Sequence, residues 1–217
     1  MTRHAKHKPA ARVVKFRTYR NMPWRNGKGF TLEIAREPAA GADFAWRLSL
    51  ADIDRDGEFS AYPGYRRALV LIAGNALKLT FQGHGSCFLH CARRAARFEG
   101  EWKTRCAVPQ GRCTDLSLIV RRGSGLSPRS IVRAPRMLHA EPSAHLALSA
   151  QLHAALFLLE GSVAVTESSR ARPHTLRARD TLLLPAGSAR LLRLRSRTKS
   201  GAKLILLRWR PGRAGKV

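Results

Sequence analysis

Hydrophobic and polar positions along this chain alternate mostly with a period of two. Phe44-Ala45-Trp46-Arg47-Leu48-Ser49-Leu50 sets large apolar side chains against small or polar ones, the pattern of a half-buried strand. Short apolar runs at 67–72, 76–81, 114–120, 155–159 and 163–167 predict further strands, and 181–184, 189–194 and 203–209 complete the set. Asp54-Arg55-Asp56-Gly57 reads as a turn, because Asp tolerates turn geometry and Gly supplies positive φ. No long amphipathic helix is predicted. Many short strands separated by Gly and Pro turns imply an all-β chain with few short helices, a sandwich or a barrel.

An internal repeat divides the chain. Ala68-Leu69-Val70-Leu71-Ile72-Ala73-Gly74 lies on Ala155-Leu156-Phe157-Leu158-Leu159-Glu160-Gly161 at an offset of 87 residues. Each copy is an apolar strand ending in a glycine turn, with a second apolar strand after it. That period suggests two similar β units rather than a solenoid. Leu176-Arg177-Ala178-Arg179-Asp180-Thr181-Leu182-Leu183-Leu184-Pro185-Ala186-Gly187 resembles the second motif of cupin jelly-roll domains, where an Asp turn precedes a strand ending in Pro-x-Gly. This resemblance implies tandem cupin-like jelly-roll barrels, a bicupin. The expected division is a flexible basic arm at 1–17, a first unit at 18–125 and a second at 126–217.

Charge complicates this picture. The 217 residues carry 40 Lys and Arg against 14 Asp and Glu, a formal net charge of +26. Residues 33–58 hold seven of the acids and only three bases, whereas the first 17 residues and the stretch from Arg190 onward hold no acid. Such a balance favours polyanions electrostatically, so non-specific polyanion binding is expected. In Arg190-Leu191-Leu192-Arg193-Leu194-Arg195-Ser196-Arg197, however, arginine alternates with leucine as on a strand with one wet face. The chain lacks a helix-turn-helix pattern, a zinc-finger spacing and an aromatic-rich single-strand motif. Arg or Lys interrupts each apolar stretch short of a membrane span, and no apolar core follows the basic start Met1-Thr2-Arg3-His4. A cytoplasmic protein without membrane insertion is expected.

Four blocks narrow the reading further. They are Met22-Pro23-Trp24-Arg25-Asn26-Gly27-Lys28-Gly29-Phe30-Thr31-Leu32-Glu33-Ile34-Ala35, Trp46-Arg47-Leu48-Ser49-Leu50-Ala51, Asp56-Gly57-Glu58-Phe59-Ser60-Ala61-Tyr62-Pro63-Gly64-Tyr65-Arg66-Arg67 and Thr114-Asp115-Leu116-Ser117-Leu118-Ile119-Val120-Arg121-Arg122-Gly123. In this order they resemble the signature of the HutD/Ves family, across most of residues 20–125. Lys28 interrupts the usual glycine run, Leu32 stands where a polar or basic residue is common, and Ser117 replaces an Asn. The resemblance implies a bacterial bicupin associated with histidine utilisation. It further implies binding of a small carboxylate such as formylglutamate and a regulatory, moderating role.

Candidate ligand-binding residues lie in these blocks. Arg47 and Ser49 share one strand face, and Asp115, Ser117 and Arg121 share another at spacings of two and four. In a barrel, alternate residues face the interior, where an arginine fork needs a carboxylate or another partner. Two such sets lining one cavity would hold a small dicarboxylate. The competing expectation places Trp46, Leu48 and Leu50 in the core and turns Arg47 and Ser49 to water. Trp24 and Asn26 flank a glycine loop whose N–H groups suit an anion, and Arg66 lies near the end of the third block. Phe59 and Tyr62 read as packing residues.

No His-x-His pair of the kind that opens metal-dependent cupin sites occurs, so no metal and no cofactor are expected. His84, Cys87, His90 and Cys91 gather soft ligands, but without paired zinc spacing. Cys106 and Cys113 are expected to face each other across a hairpin as thiols. No nucleophile elbow surrounds Gly123-Ser124-Gly125, and no catalytic residue is assigned. The sequence thus favours a metal-free binder of a small acid, with a metal-free cupin enzyme and a nucleic-acid-associated protein as alternatives, and a homodimer as an open arrangement.

Overall fold

The computed structural model describes residues 10–24, 29–38, 40, 43–91, 94–122, 138–139, 143–167, 172–187 and 190–210. The strands run, in order, β1 (Arg12–Val14), β2 (Arg20–Pro23), β3 (Phe30–Glu37), β4 (Trp46–Ile53), β5 (Gly57–Glu58), β6 (Tyr65–Ala73), β7 (Ala76–Phe81), β8 (Gly85–His90), β9 (Ala95–Glu99), β10 (Thr104–Ala107) and β11 (Cys113–Arg121). After them come β12 (Leu138–His139), β13 (Ala144–Leu148), β14 (His153–Glu160), β15 (Ser162–Thr166), β16 (His174–Arg177), β17 (Thr181–Leu184), β18 (Arg190–Ser196) and β19 (Lys203–Trp209). A single 3-10 turn, Phe16–Thr18, is the one helical element among the described residues. No helix among them is long and apolar enough to cross a membrane.

The strands pair antiparallel into four open sheets. In the first half a six-stranded sheet, β2-β3-β4-β11-β6-β9, faces a four-stranded one, β5-β10-β7-β8. In the second half a five-stranded sheet, β1-β17-β14-β19-β12, faces β13-β18-β15-β16. Three apolar cores separate the layers, and the middle one joins the two larger sheets.

Alternation explains the layering. On β4, Trp46, Leu48 and Leu50 point into the middle core with Ala155, Phe157 and Trp209 of the other half. A strand buried on both faces cannot alternate apolar with water-facing polar residues. Arg47 and Ser49 therefore face the interior between the two first-half sheets, not solvent, and Ser49 is fully buried. The expectation that they face water is overturned by the sheet that covers them.

The 87-residue repeat is structural. β6 and β7 correspond to β14 and β15, each pair joined by a glycine with φ near +85° (Gly74 +86°, Gly161 +84°). Both glycines are also hemmed in. A Cβ on Gly74 would meet Cys113 Cβ at 2.6 Å, and one on Gly161 would meet the Gly201 carbonyl oxygen at 2.5 Å.

The expected loose arm at 1–17 is corrected from residue 12 onward. Arg12, Val13 and Val14 pair with Leu183, Leu182 and Thr181, so residues 12–14 form an edge strand of the second half before the chain enters the first. The apolar alternation of Val13 and Val14 drives this, because each side chain finds a core on its own face. Asp180 fastens the join: its carboxylate accepts from Lys15 Nζ, Phe16 N and Arg177 N, each at 3.0 Å.

Candidate functional site

The interior face of the six-stranded sheet carries three rows of side chains fixed by strand register. Arg47, Ile119 and Arg67 lie side by side on β4, β11 and β6; Ser49, Ser117 and Leu69 form the next row; Ala51, Asp115 and Leu71 the third. Above them is a cavity of about 80 Å³, lined also by Trp24, Thr31, Ile53, Glu58, Phe59, Ser60 and Tyr62.

Two guanidiniums dominate the wall. Arg47 donates to Tyr62 Oη at 2.9 Å and lies over the Phe44 and Tyr62 rings. Arg67 donates to the Ser60 carbonyl at 3.1 Å and sits among Phe59, Tyr62 and Phe98, with ring centroids 5.0–5.5 Å away. Burial lowers Arg67 to about 10, a fall opposed by the charge of Asp115 and deepened by that of Arg47. It remains a cation at neutral pH.

Asp115 is 2% exposed. Burial raises its carboxyl to about 7; Arg67 opposes the rise and the Asp52 charge adds to it. Near neutrality it therefore exchanges between acceptor and donor.

The polar groups of this wall are incompletely paired. Arg47 Nε, Arg67 Nε, Asp115 Oδ1 and Ser117 Oγ are all buried without a hydrogen-bond partner. Leaving one such group unpaired costs about 1–3 kcal/mol, so these four give the cavity wall free hydrogen-bonding capacity.

Of the residues singled out in the sequence, Trp24, Arg47, Ser49, Asp115 and Ser117 line this cavity. Asn26 lies outside the described residues. Arg66 and Arg121 do not line it. Arg66 is one position out of phase with the interior face and pairs with Glu99 at 3.0 Å. Arg121 has the interior phase, but stands past the end of the floor, bonded to Tyr65 Oη at 2.8 Å and Asp43 at 3.1 Å. Sequence reasoning missed Arg67, Glu58 and Thr31, and it took Phe59 and Tyr62 for packing alone. The run of polar residues between β5 and β6 was the available signal.

Trp24 is held by Nε1 donating to Thr31 Oγ1 at 2.8 Å, and its ring lies 3.0 Å from where a Gly29 Cβ would stand. A Cβ at position 29 would therefore oblige the Trp24 ring to shift by a few tenths of an ångström.

A metal does not fit this lining. It offers two carboxylates, Glu58 and Asp115, and no imidazole or thiolate, while a cation there would face two guanidiniums. The soft-ligand group seen in the sequence does not converge either. His84 stacks on Trp102 at 4.0 Å and His90 Nδ1 lies 3.3 Å from the Asn75 carbonyl. No group of three or more His, Cys, Asp or Glu suited to a metal occurs among the described residues. Cys106 and Cys113 are buried free thiols, Cys113 pushed up to about 12 by burial first and by Asp115, Cys106 and Asp52 next.

Comparison with known proteins agrees with this architecture. Relatives include an uncharacterized 21.2 kDa protein in the hutC 3′ region of Pseudomonas putida, 39% identical over 108 residues, which are 49% of this chain and 56% of that protein. Protein Ves of Citrobacter koseri is 38% identical over 109 residues, 48% of this chain and 56% of Ves. The chain thus spans little more than half the length of these relatives.

Among solved structures, a conserved protein of unknown function from Pseudomonas aeruginosa PAO1 superposes with TM-score 0.77 at 29% identity, covering 93% of this chain and 98% of that one. HutD from Pseudomonas fluorescens SBW25, in a formate condition, gives 0.71 at 25% identity, covering 94% of this chain and all of its own. Oxalate decarboxylase from Lactobacillus farciminis gives 0.58 at 10% identity over 93% of this chain and 86% of the other, a likeness of cupin-like fold alone. The HutD family model matches residues 16–203, and the chain belongs to the HutD family, which is associated with histidine utilisation.

Proposed function

We propose that this chain is a metal-free bicupin that binds a small carboxylate metabolite, of the formylglutamate kind, in the cavity between β4, β6, β11 and the Glu58–Tyr62 segment. Its role is then to moderate histidine utilisation by sequestering or sensing that acid. The paired sheets of each half and the cupin-like neighbours support the bicupin reading. The observation that carries the ligand class is the buried Nε of Arg47 and of Arg67, both unpaired at one cavity. A carboxylate is the anion whose geometry suits an arginine fork. Unpaired Asp115 Oδ1 and Ser117 Oγ add a place for a ligand N–H or O–H.

A second reading has one observation in its favour. Asp115, raised to about 7, is poised for general acid or base work on a bound acid.

The test is a thermal-shift and calorimetric titration with formylglutamate, urocanate and glutamate at low and high salt. Saturable stabilisation that persists at high salt and disappears in Arg47→Ala is expected, and no response to any acid overturns the proposal. Product analysis of the bound acid after long incubation then separates binder from enzyme: unchanged ligand supports the first reading and turnover the second.

A further inference from the structure

The outer face of the sheet β13-β18-β15-β16 gathers exposed arginines on neighbouring strand positions. On β18, Leu192 and Leu194 are fully buried in the second-half core, so Arg193 and Arg195 between them must point outward, and both are exposed. The register extends this face sideways: Arg193 lies between His145 on β13 and Thr166 on β15, and Arg195 lies beside Ala164. Arg197 follows in phase, its N–H donating to the Ser162 carbonyl, and Ser162 in turn pairs with Arg177 on β16.

Four exposed guanidiniums thus occupy one sheet face, and none of them forms an ion pair among the described residues. No acid has the outward phase on the described parts of these four strands. Glu167, just past β15, instead binds Arg190 at 2.5 Å at the rim. Some arginines elsewhere are neutralised: Arg66 and Arg122 share Glu99, and Arg55 meets Asp54. Unneutralised like charge on one flat surface costs self-repulsion, which a bound polyanion relieves.

We infer that this sheet face is a binding surface for the phosphate backbone of a nucleic acid, independent of the interior cavity. Arg193 and Arg195 stand in line along β18, about 6.6–7 Å apart, with Arg197 just past its end, so they match a linear polyanion rather than a single compact anion. Arginine also forks onto phosphate through two hydrogen bonds. Small neighbours, Ala164 and Thr166, keep the surface low enough for the chain to lie on it. A lipid surface fits less well, because Leu191 is the one large apolar side chain presented there and interfacial anchoring needs an apolar face. Among the described residues no Phe, Tyr or Trp stands on the face to stack bases, and His145 is its one ring, so binding is sequence-independent and carried mainly by counterion release.

The test uses the full chain with a fluorescein-labelled 20-base oligothymidylate, read by anisotropy from 50 to 300 mM salt. Replacing two phosphate-contacting arginines in the double variant Arg193→Ser/Arg195→Ser should flatten the log–log salt dependence by about 1.4 and weaken binding at least about tenfold at 50 mM salt. The control, Lys78→Ser/Arg105→Ser, removes the same charge from the opposite outer sheet and should leave the slope unchanged. Far-UV circular dichroism and melting confirm that each variant is folded. Equal loss in both variants would mean bulk charge alone and overturns the assignment. So does absence of oligonucleotide binding, or binding confined to anionic vesicles of 30% phosphatidylserine run in parallel.

Discussion

Arg67 and Asp115 are buried on the floor of one cavity, with opposite charge, yet they do not close into an ion pair. Each keeps an unpaired polar atom instead. The carboxyl therefore carries the burial cost, and its titration is shifted to about 7 rather than below the usual range. Between about pH 4 and pH 7 the native state holds a proton that the unfolded chain has released, so this group makes stability fall as pH rises through that window. Above pH 7 the full penalty is present. Asp115→Asn removes the titration. Urea unfolding of the ligand-free protein at pH 5, 6, 7 and 8 should show the variant gaining about 2–3 kcal/mol relative to the parent between pH 5 and pH 8. Parallel pH profiles for the two proteins would refute the assignment.

The neighbours Arg66 and Arg67 should separate cleanly in ligand binding. Arg67 faces the cavity, whereas Arg66 points the other way to Glu99. Arg67→Ala should weaken the acid that stabilises the parent by about 30-fold or more, the loss of one charged hydrogen-bonding partner, about 2 kcal/mol. Arg66→Ala removes a half-exposed ion pair and should leave affinity within about twofold. Calorimetric titration measures both. Equal losses would place the ligand outside this cavity.

How far the sequence reached can be seen in the same strands. Long apolar runs such as β6, β11 and β19 were legible because two buried faces leave little but hydrophobic residues. The Gly74 and Gly161 repeat was legible because both turns demand positive φ beside crowded backbone. β8 was not, since Ser86-Cys87-Phe88 buries only part of one face and resembles a ligand cluster. β1 was hidden because its partner, β17, lies about 170 residues away and local pattern carries no trace of that pairing. In the cavity wall, period two places Arg47, Ser49, Asp115 and Ser117 on the one face that lines it. Arg66 was preferred to Arg67 because the third block does not alternate, so phase could come only from the register with β11.

Gly74 should be intolerant of alanine for a reason Gly111 does not share. Both have φ above +80°, but a Cβ at Gly111 meets nothing within 4 Å, whereas at Gly74 it would meet Cys113 Cβ at 2.6 Å and the Arg112 carbonyl oxygen at 2.7 Å. Left-handed strain alone costs about 1–2 kcal/mol. Gly111→Ala should lose about that much in urea unfolding, and Gly74→Ala at least about 2 kcal/mol more or fail to fold. Equal losses would show that β11 yields at Cys113.

Burial acts on His153 in the opposite sense to Asp115. His153 stacks on Trp209 at 5.5 Å, lies 6.3 Å from Trp46, and its Nδ1 accepts from Ala186 N at 3.2 Å. Burial lowers its pKa to about 4. Below the ordinary histidine range the unfolded chain takes up a proton that the native imidazole refuses, so stability falls as pH drops from about 6.5 to 4. His153→Gln, which removes the titration and keeps an acceptor, should lose stability at pH 7 through lost stacking, yet show a shallower decline between pH 6.5 and 4.5. Urea midpoints of both proteins over that range decide it, and an unchanged acid slope would assign the loss to another group.

Asp180 holds the segment after β1 to the second half, and its removal should expose how much that join contributes. Its Oδ1 accepts from Phe16 N, and its Oδ2 from Lys15 Nζ and Arg177 N. Ion pairing with the half-exposed Lys15 contributes little, because solvent screens it. The two backbone N–H groups matter more, since each loses a charged acceptor in a partly buried place. Asp180→Ala should therefore cost about 2–4 kcal/mol, and Asp180→Asn, which keeps one acceptor oxygen, about half as much. Lys15→Ala should cost under about 1 kcal/mol. Hydrogen exchange gives the local check: in Asp180→Ala the amides of Val13 and Val14, which lie on the β1–β17 pairing, should lose protection well before those of β14. A uniform loss across both halves would mean that β1 unfolds only with the whole protein.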